Sequence, residues 1–272
     1  MSVAMNRDCA KQPAAASQRM FFVAATPLFA ACSMATIAMC RSMSAMDGMS
    51  MPGGWTMSMT WMRMPGQTWP GAAAAFLGMW IVMMVAMMSP VLTPMLCRYR
   101  RAIAVKSSAR ADALTAVVAV AYFSMWALSG AAVFIVGVVV ASFAMREPLL
   151  ARAVPAATGA TVLIAGFLQF SAWKTRHLAC CRRPSASCAA ISADFRTAAL
   201  QGLRLGKHCL HCCCGLTIAL LAVGVMDLGA MALVTLAISV ERLAPGGDRA
   251  ARWIGAILVA AGVWMIAQAL PA

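Results

Sequence analysis

The chain carries apolar runs too long and too unbroken for a protein folded in water. They cover about 20–40, 71–96, 113–143, the segment from beyond Pro155 to Trp173, and 253–269, with a further stretch at 208–241. A helix of about 20 apolar residues crosses a hydrocarbon core of roughly 30 Å, so runs of this length read as membrane spans. Composition agrees: 62% of the residues are hydrophobic and 11% charged, against roughly 25% charged in a soluble domain. The expected fold class is all-α, a polytopic transmembrane helix bundle of six to seven helices. The sequence has no repeat, no low-complexity linker and no room for a separate soluble domain.

The helix count turns on 208–241. As one helix this stretch would measure about 50 Å, well beyond what a bilayer needs. Gly224-Val225-Met226-Asp227-Leu228-Gly229 lies near its middle and reads as the tight turn of a short helical hairpin. Charge supports the hairpin. With the N-terminus inside and loops alternating, 18 Lys and Arg fall inside and four outside, the bias that sets membrane orientation. The hairpin limbs are then short, about 16–18 residues each. The run at 113–143 exceeds one crossing and has to tilt or protrude.

These boundaries divide the chain into a cytoplasmic tail at 1–19, a first transmembrane helix at 20–40, a Met-rich outer loop at 41–70 and a membrane domain at 71–272. The first helix also resembles a cleavable export signal, with its basic start, apolar middle and Leu28-Phe29-Ala30-Ala31-Cys32 stretch. The expected setting is a bacterial inner membrane, multi-pass, with the lipid bilayer as first partner. The net charge of +14 does not call for nucleic acid, because the basic residues sit in the short loops that orient helices.

Three groups of side chains carry chemistry. Eight methionines crowd into 43–64, interleaved with Trp55 and Trp61 and with polar Ser44, Asp47, Ser50, Thr56 and Ser58. Thioether sulfur is soft, selects Cu(I) over hard cations and needs no deprotonation to bind. Its other use is gap-filling in apolar packing. The second group is Met83, Met84, Met87 and Met88, a thioether stripe at helical spacing beside Pro90. Core packing and a ligand role both suit it. The third is His208-Cys209-Leu210-His211-Cys212-Cys213-Cys214, preceded by His177, Cys180, Cys181 and Cys188. Cys-x-x-Cys beside histidine is a spacing that thiolate and imidazole metal sites use. Inert thiol packing and a redox pair are the other readings. Asp227 is the one acid plausibly within a membrane layer, where an ionisable group is a functional candidate unless solvated at the turn. With no paired acids, no Ser-His-Asp set and no glycine-rich phosphate loop, hydrolase and ATPase chemistry find no support.

Together these motifs resemble a bacterial family described as predicted metal-binding integral membrane proteins. Trp80, Met83, Ala86, Met87, Met88 and Pro90 match its Trp-x-x-Met and Ala-Met-Met-x-Pro helix. Lys174, Leu178, Cys181, Arg182 and Pro184 match its Lys-x-x-Cys-Leu-x-x-Cys-Arg-x-Pro segment, and Cys209, Cys212 and Cys213 its Cys-x-x-Cys-Cys-Trp element. Gly224 to Leu228 and Glu241-Arg242 resemble its Gly-Val-Met-Asn-Leu and Glu-Lys elements. The likeness covers about 75–268. It departs at His177, where a cysteine is expected, at Cys214 for tryptophan and at Asp227 for asparagine. The resemblance implies metal binding, and His for Cys keeps a ligand while hardening it. The Met-rich segment lies outside the likeness.

The function expected from the sequence is handling of a soft transition metal, Cu(I) before zinc, by relay or by delivery to a metal-receiving enzyme or chaperone. The expected metal residues are His177, Cys181, His208, Cys209, His211, Cys212, Cys213, Met83, Met84, Met87 and Met88. The rivals are a membrane thiol-disulfide oxidoreductase using Cys209 and Cys212, and a scaffold in which these side chains only pack.

Overall fold

A computed structural model describes residues 14–44, 48–52, 54–63, 66–103, 108–182 and 194–269. Residues 1–13 of the tail, Met46, Asp47, Met64, Lys106, Arg183, Pro184 and Cys188 lie outside the described residues. The order of elements is α1 (Ala14–Ser44), a hairpin of β1 (Met49–Met51) and β2 (Trp55–Met57), a 3₁₀ turn at Met59–Trp61, then α2 (Trp69–Ile103), α3 (Ser108–Arg146), α4 (Pro148–Gln169), α5 (Ala172–Arg182), α6 (Phe195–Val223), α7 (Leu228–Leu243) and α8 (Gly247–Ala269). The protein is an all-α helical bundle. Five helices, α2, α3, α4, α6 and α8, are long and apolar enough to cross a membrane. Large apolar side chains stand outward on them, among them Ile135, Val136, Val140 and Phe143 of α3 and Trp253, Ile257 and Trp264 of α8.

The hairpin turn falls where the glycines put it. α6 ends at Val223, Gly224 takes φ 144°, and Asp227 caps α7 by accepting from the Ala230 amide at 2.7 Å. A φ of this kind is open to glycine and strained for other residues. Asp227 therefore has a structural task, the satisfaction of an orphan helix donor.

One expectation needs correcting. The described residues hold eight helices, five of them of membrane-crossing length, and the basic stretch 174–207 is not an open loop. Ala172–Arg182 forms α5, and α6 begins at Phe195, so its limb of the hairpin has 29 residues rather than 16–18. Lys and Arg are good helix formers, and Arg196, Arg204 and Lys207 point to the exposed side of α6. Charge marked the end of the apolar run and not the end of the helix. Part of the Met-rich loop is structured. Met49 pairs with Met57, Ser50 with Thr56 and Met51 with Trp55. Met57 is buried against Ala141 and Ala144 of α3, while the Trp55 indole donates to the Ala151 carbonyl at 2.8 Å. At Met57 the thioether packs.

The core lies between α2, α3 and α6, with Trp80, Met84, Met88, Leu114, Tyr122, Trp126, Leu216 and Leu220 fully buried. Trp80 lies flat over Gly130 and donates to the Trp126 carbonyl at 2.9 Å, so it fixes α2 on α3. α3 and α6 meet at Gly202, where an added Cβ would stand 2.4 Å from the Val118 carbonyl oxygen and 2.7 Å from Ala121 Cβ. Gly202→Val is therefore expected to force the helices apart and cost about 1–3 kcal/mol or more. Thermal unfolding in detergent checks this beside Gly246→Ala, whose Cβ would meet nothing within 4 Å. Equal midpoints would refute the close approach.

Candidate metal centre

Helical spacing puts Cys209 and Cys213 one turn apart on α6, and both point into the core with Cys212 between them. Cys209 Sγ lies 3.9 Å from Cys213 Sγ and 4.0 Å from Met88 Sδ on α2. Cys213 also contacts the Cys212 thiol, and Cys212 contacts Cys181 of α5. Five sulfurs thus form a continuous buried chain, Met88, Cys209, Cys213, Cys212 and Cys181, none more than 3% exposed. The hydrogen bond with Cys212, and then burial, push the Cys181 thiol well up from the usual range.

The spacing suits a soft ion. With metal–sulfur bonds of roughly 2.3 Å, a trigonal three-sulfur site has edges of roughly 4.0 Å, the length of both edges measured from Cys209. Sulfur-only ligation is a soft donor set that favours Cu(I). Among the described residues no three His, Cys, Asp or Glu side chains already converge on one ion. The two sulfurs measured against Cys209 are a thiol, Cys213, and a thioether, Met88.

Charged groups enclose this chain. The Tyr122 hydroxyl and the Arg242 guanidinium each donate to Cys209 Sγ at 2.9 Å, and Arg242 also reaches Met95 Sδ at 3.3 Å. A buried cation needs an anion or well-placed acceptors, and here they are sulfurs. Lys174 Nζ donates to Glu241 Oε2 and to the Cys212 carbonyl, each at 2.7 Å, with both charged side chains buried. The pair clamps α5 and α7 against α6 at Cys212.

The expected site residues separate into three sets. Met88, Cys209, Cys213, Cys212 and Cys181 come together. Met83, Met84 and Met87 are buried on α2 within the core, and Met88 lies 4.0 Å from the Cys209 sulfur. His177, His208 and His211 form a half-buried cluster of their own beside Trp173. Burial, with His211 and His208 as neighbours, holds the His177 imidazole below the usual histidine range. Tyr122 and Arg242 were missed as site residues. Arg242 signals itself as a cation in an apolar segment, whereas Tyr122, 87 positions from Cys209, leaves no local trace. The nine described cysteines are free thiols.

No curated protein and no solved structure matches the chain. A family described as copper chaperone, PpoB2, matches residues 77–265, more than half of the chain and all of the sulfur set. This chain belongs to the PpoB2 family of copper chaperones.

Proposed function

We propose that this protein is a multi-pass membrane copper chaperone that holds Cu(I) on the buried sulfur chain and hands it to a metal-receiving partner. The observation that carries the reading is the unbroken run of sulfurs from Met88 to Cys181. Each step between neighbours is short enough for an ion to gain one ligand before losing another, so transfer need not pass through a bare ion. Cys209, Met88 and Cys213 are the holding site, and Cys212 and Cys181 the way out towards α5. Arg242 and Tyr122 offset charge on the metal-free Cys209 sulfur and must yield when copper binds.

The apolar faces of α3 and α8 suit a bilayer, and the charge bias favours a cytoplasmic N-terminus in a bacterial inner membrane. That orientation places the β-hairpin and its exposed Met49 on the outer side, with α5 towards the inner side.

Anaerobic loading of the detergent-purified full chain with Cu(I), followed by metal analysis, tests the holding site. One copper per chain is expected in the wild type and none in Cys209→Ser/Cys213→Ser. Retention of copper by that variant, or no copper in the wild type, would remove the proposal. In the second case, a dithiol titrating reversibly at Cys209 and Cys212 would move the thiol-redox reading ahead.

A further inference from the structure

The sulfur chain leaves the three histidines without a task. His177 stands on α5 and His208 and His211 on α6, and the fold brings all three rings together. His177 Nδ1 lies 3.2 Å from His208 Nδ1, and the rings of His177 and His211 stack with centroids 5.0 Å apart. Trp173 closes the side of the cluster, edge-on to His177 at 5.0 Å and to His211 at 5.5 Å.

Two nitrogens, each about 2.05 Å from one ion, stand roughly 2.9 Å apart at a right angle and roughly 3.3 Å apart in a tetrahedron. The His177–His208 separation falls between these values. His211 adds a feature typical of metal-binding imidazoles. Its Nδ1–H donates to the Lys207 carbonyl at 2.7 Å, which fixes the tautomer and leaves the Nε2 lone pair free for an ion. The rings are half-buried, within reach of water, whereas the thiols are sealed in the core.

We propose that His177 and His208 form a second metal site for a borderline divalent cation of the zinc or Cu(II) class, separate from the sulfur chain, with the His211 ring, which does not converge with them in the metal-free fold, turning in to join them. In the metal-free protein the gap between the two Nδ1 atoms is bridged by a proton, and the ion replaces it. Imidazole suits such ions, while thiolate and thioether together suit Cu(I). The two sites therefore sort metals by softness across α6. The inference does not require the sulfur chain to carry copper.

The test is Zn(II) binding to the metal-free full chain under anaerobic conditions, read by equilibrium dialysis and by X-ray absorption. The expected result is one Zn(II) per chain with nitrogen scattering at about 2.0–2.1 Å and no sulfur shell near 2.3 Å. In His177→Gln/His208→Gln affinity should fall by about 100-fold or more, since loss of a mere outer partner already costs about 10–100-fold. His211→Gln alone should give an intermediate loss. Cys209→Ser/Cys213→Ser should leave zinc binding unchanged. Sulfur scattering at the bound zinc, no stoichiometric zinc, or undiminished affinity in the folded His177→Gln/His208→Gln variant would each overturn the proposal. Cu(I) capacity measured on the same preparations keeps the outcomes apart. In the wild type, zinc bound without Cu(I) condemns only the copper site, and Cu(I) bound without zinc condemns only this one.

Discussion

A Lys174→Met variant will lose about 3–5 kcal/mol of stability, because it leaves a carboxylate buried and uncompensated. Lys174 and Glu241 are exposed by only 4% and 1% of their side chains, and their 2.7 Å contact is the carboxylate's observed ion pair. Glu241 Oε1 is buried without a hydrogen bond in the fold, and the neighbouring Gln169 side-chain amide is neutral, so it does not replace the charge when the ammonium goes. Glu241→Leu alone should be comparably damaging, since it strands the ammonium. The double variant Lys174→Met/Glu241→Leu should recover most of the loss, as apolar groups of similar size often replace a buried pair at little cost. The Cys212 carbonyl loses its contact with Lys174 in both backgrounds and keeps its helical position, so that bond does not decide the comparison. Unfolding midpoints of the three variants in one detergent give the answer. If the Lys174→Met loss is below about 1 kcal/mol, the pair behaves as a solvated surface bridge and the clamp at Cys212 is wrong.

What the sequence reveals of this fold follows the reach of its local rules. Apolar runs of membrane length located α2, α3, α4 and α8, because helix length in a bilayer is a property of the run itself. The α6–α7 turn was legible because glycine and aspartate act within a few residues, through positive φ and a cap. α5 escaped because Lys174, Arg176 and Arg182 gave its segment the composition of a loop, while its apolar anchors, Leu178 and Cys181, are sparse. The limit was sharper at the buried sulfurs. Helical spacing put Cys209, Cys212 and Cys213 near one another but could not say which helix each would face. In the fold Cys209 turns to Met88 of α2, and Cys212 turns to Cys181 of α5. Cys-x-x-Cys therefore reads as one site in sequence and, in space, as two separate links of a chain joined through Cys213. Met83, Met84 and Met87 show the same limit from the other side, since thioethers at helical spacing look alike whether they pack or coordinate.

That division makes single cysteine variants informative. Cys209→Ser removes the sulfur that contacts both Met88 and Cys213 and leaves Tyr122 and Arg242 donating to a hydroxyl. Loss of an outer partner weakens a metal site by about 10–100-fold, and loss of a ligand itself should exceed that. Cys212→Ser leaves Met88, Cys209 and Cys213 in place and breaks the link to Cys181. Its Cu(I) affinity, measured by competition with a chromophoric chelator, should stay close to wild type. Copper release to an external thiol acceptor, followed by stopped flow, should slow by about tenfold or more, a barrier increase of about 1.4 kcal/mol. A holding defect and a transfer defect would then lie three residues apart on one helix. Affinity falling equally in both variants would make Cys209 and Cys212 ligands of one ion and abolish the relay. Unchanged affinity and unchanged release in Cys212→Ser would mean that copper leaves by a route other than α5.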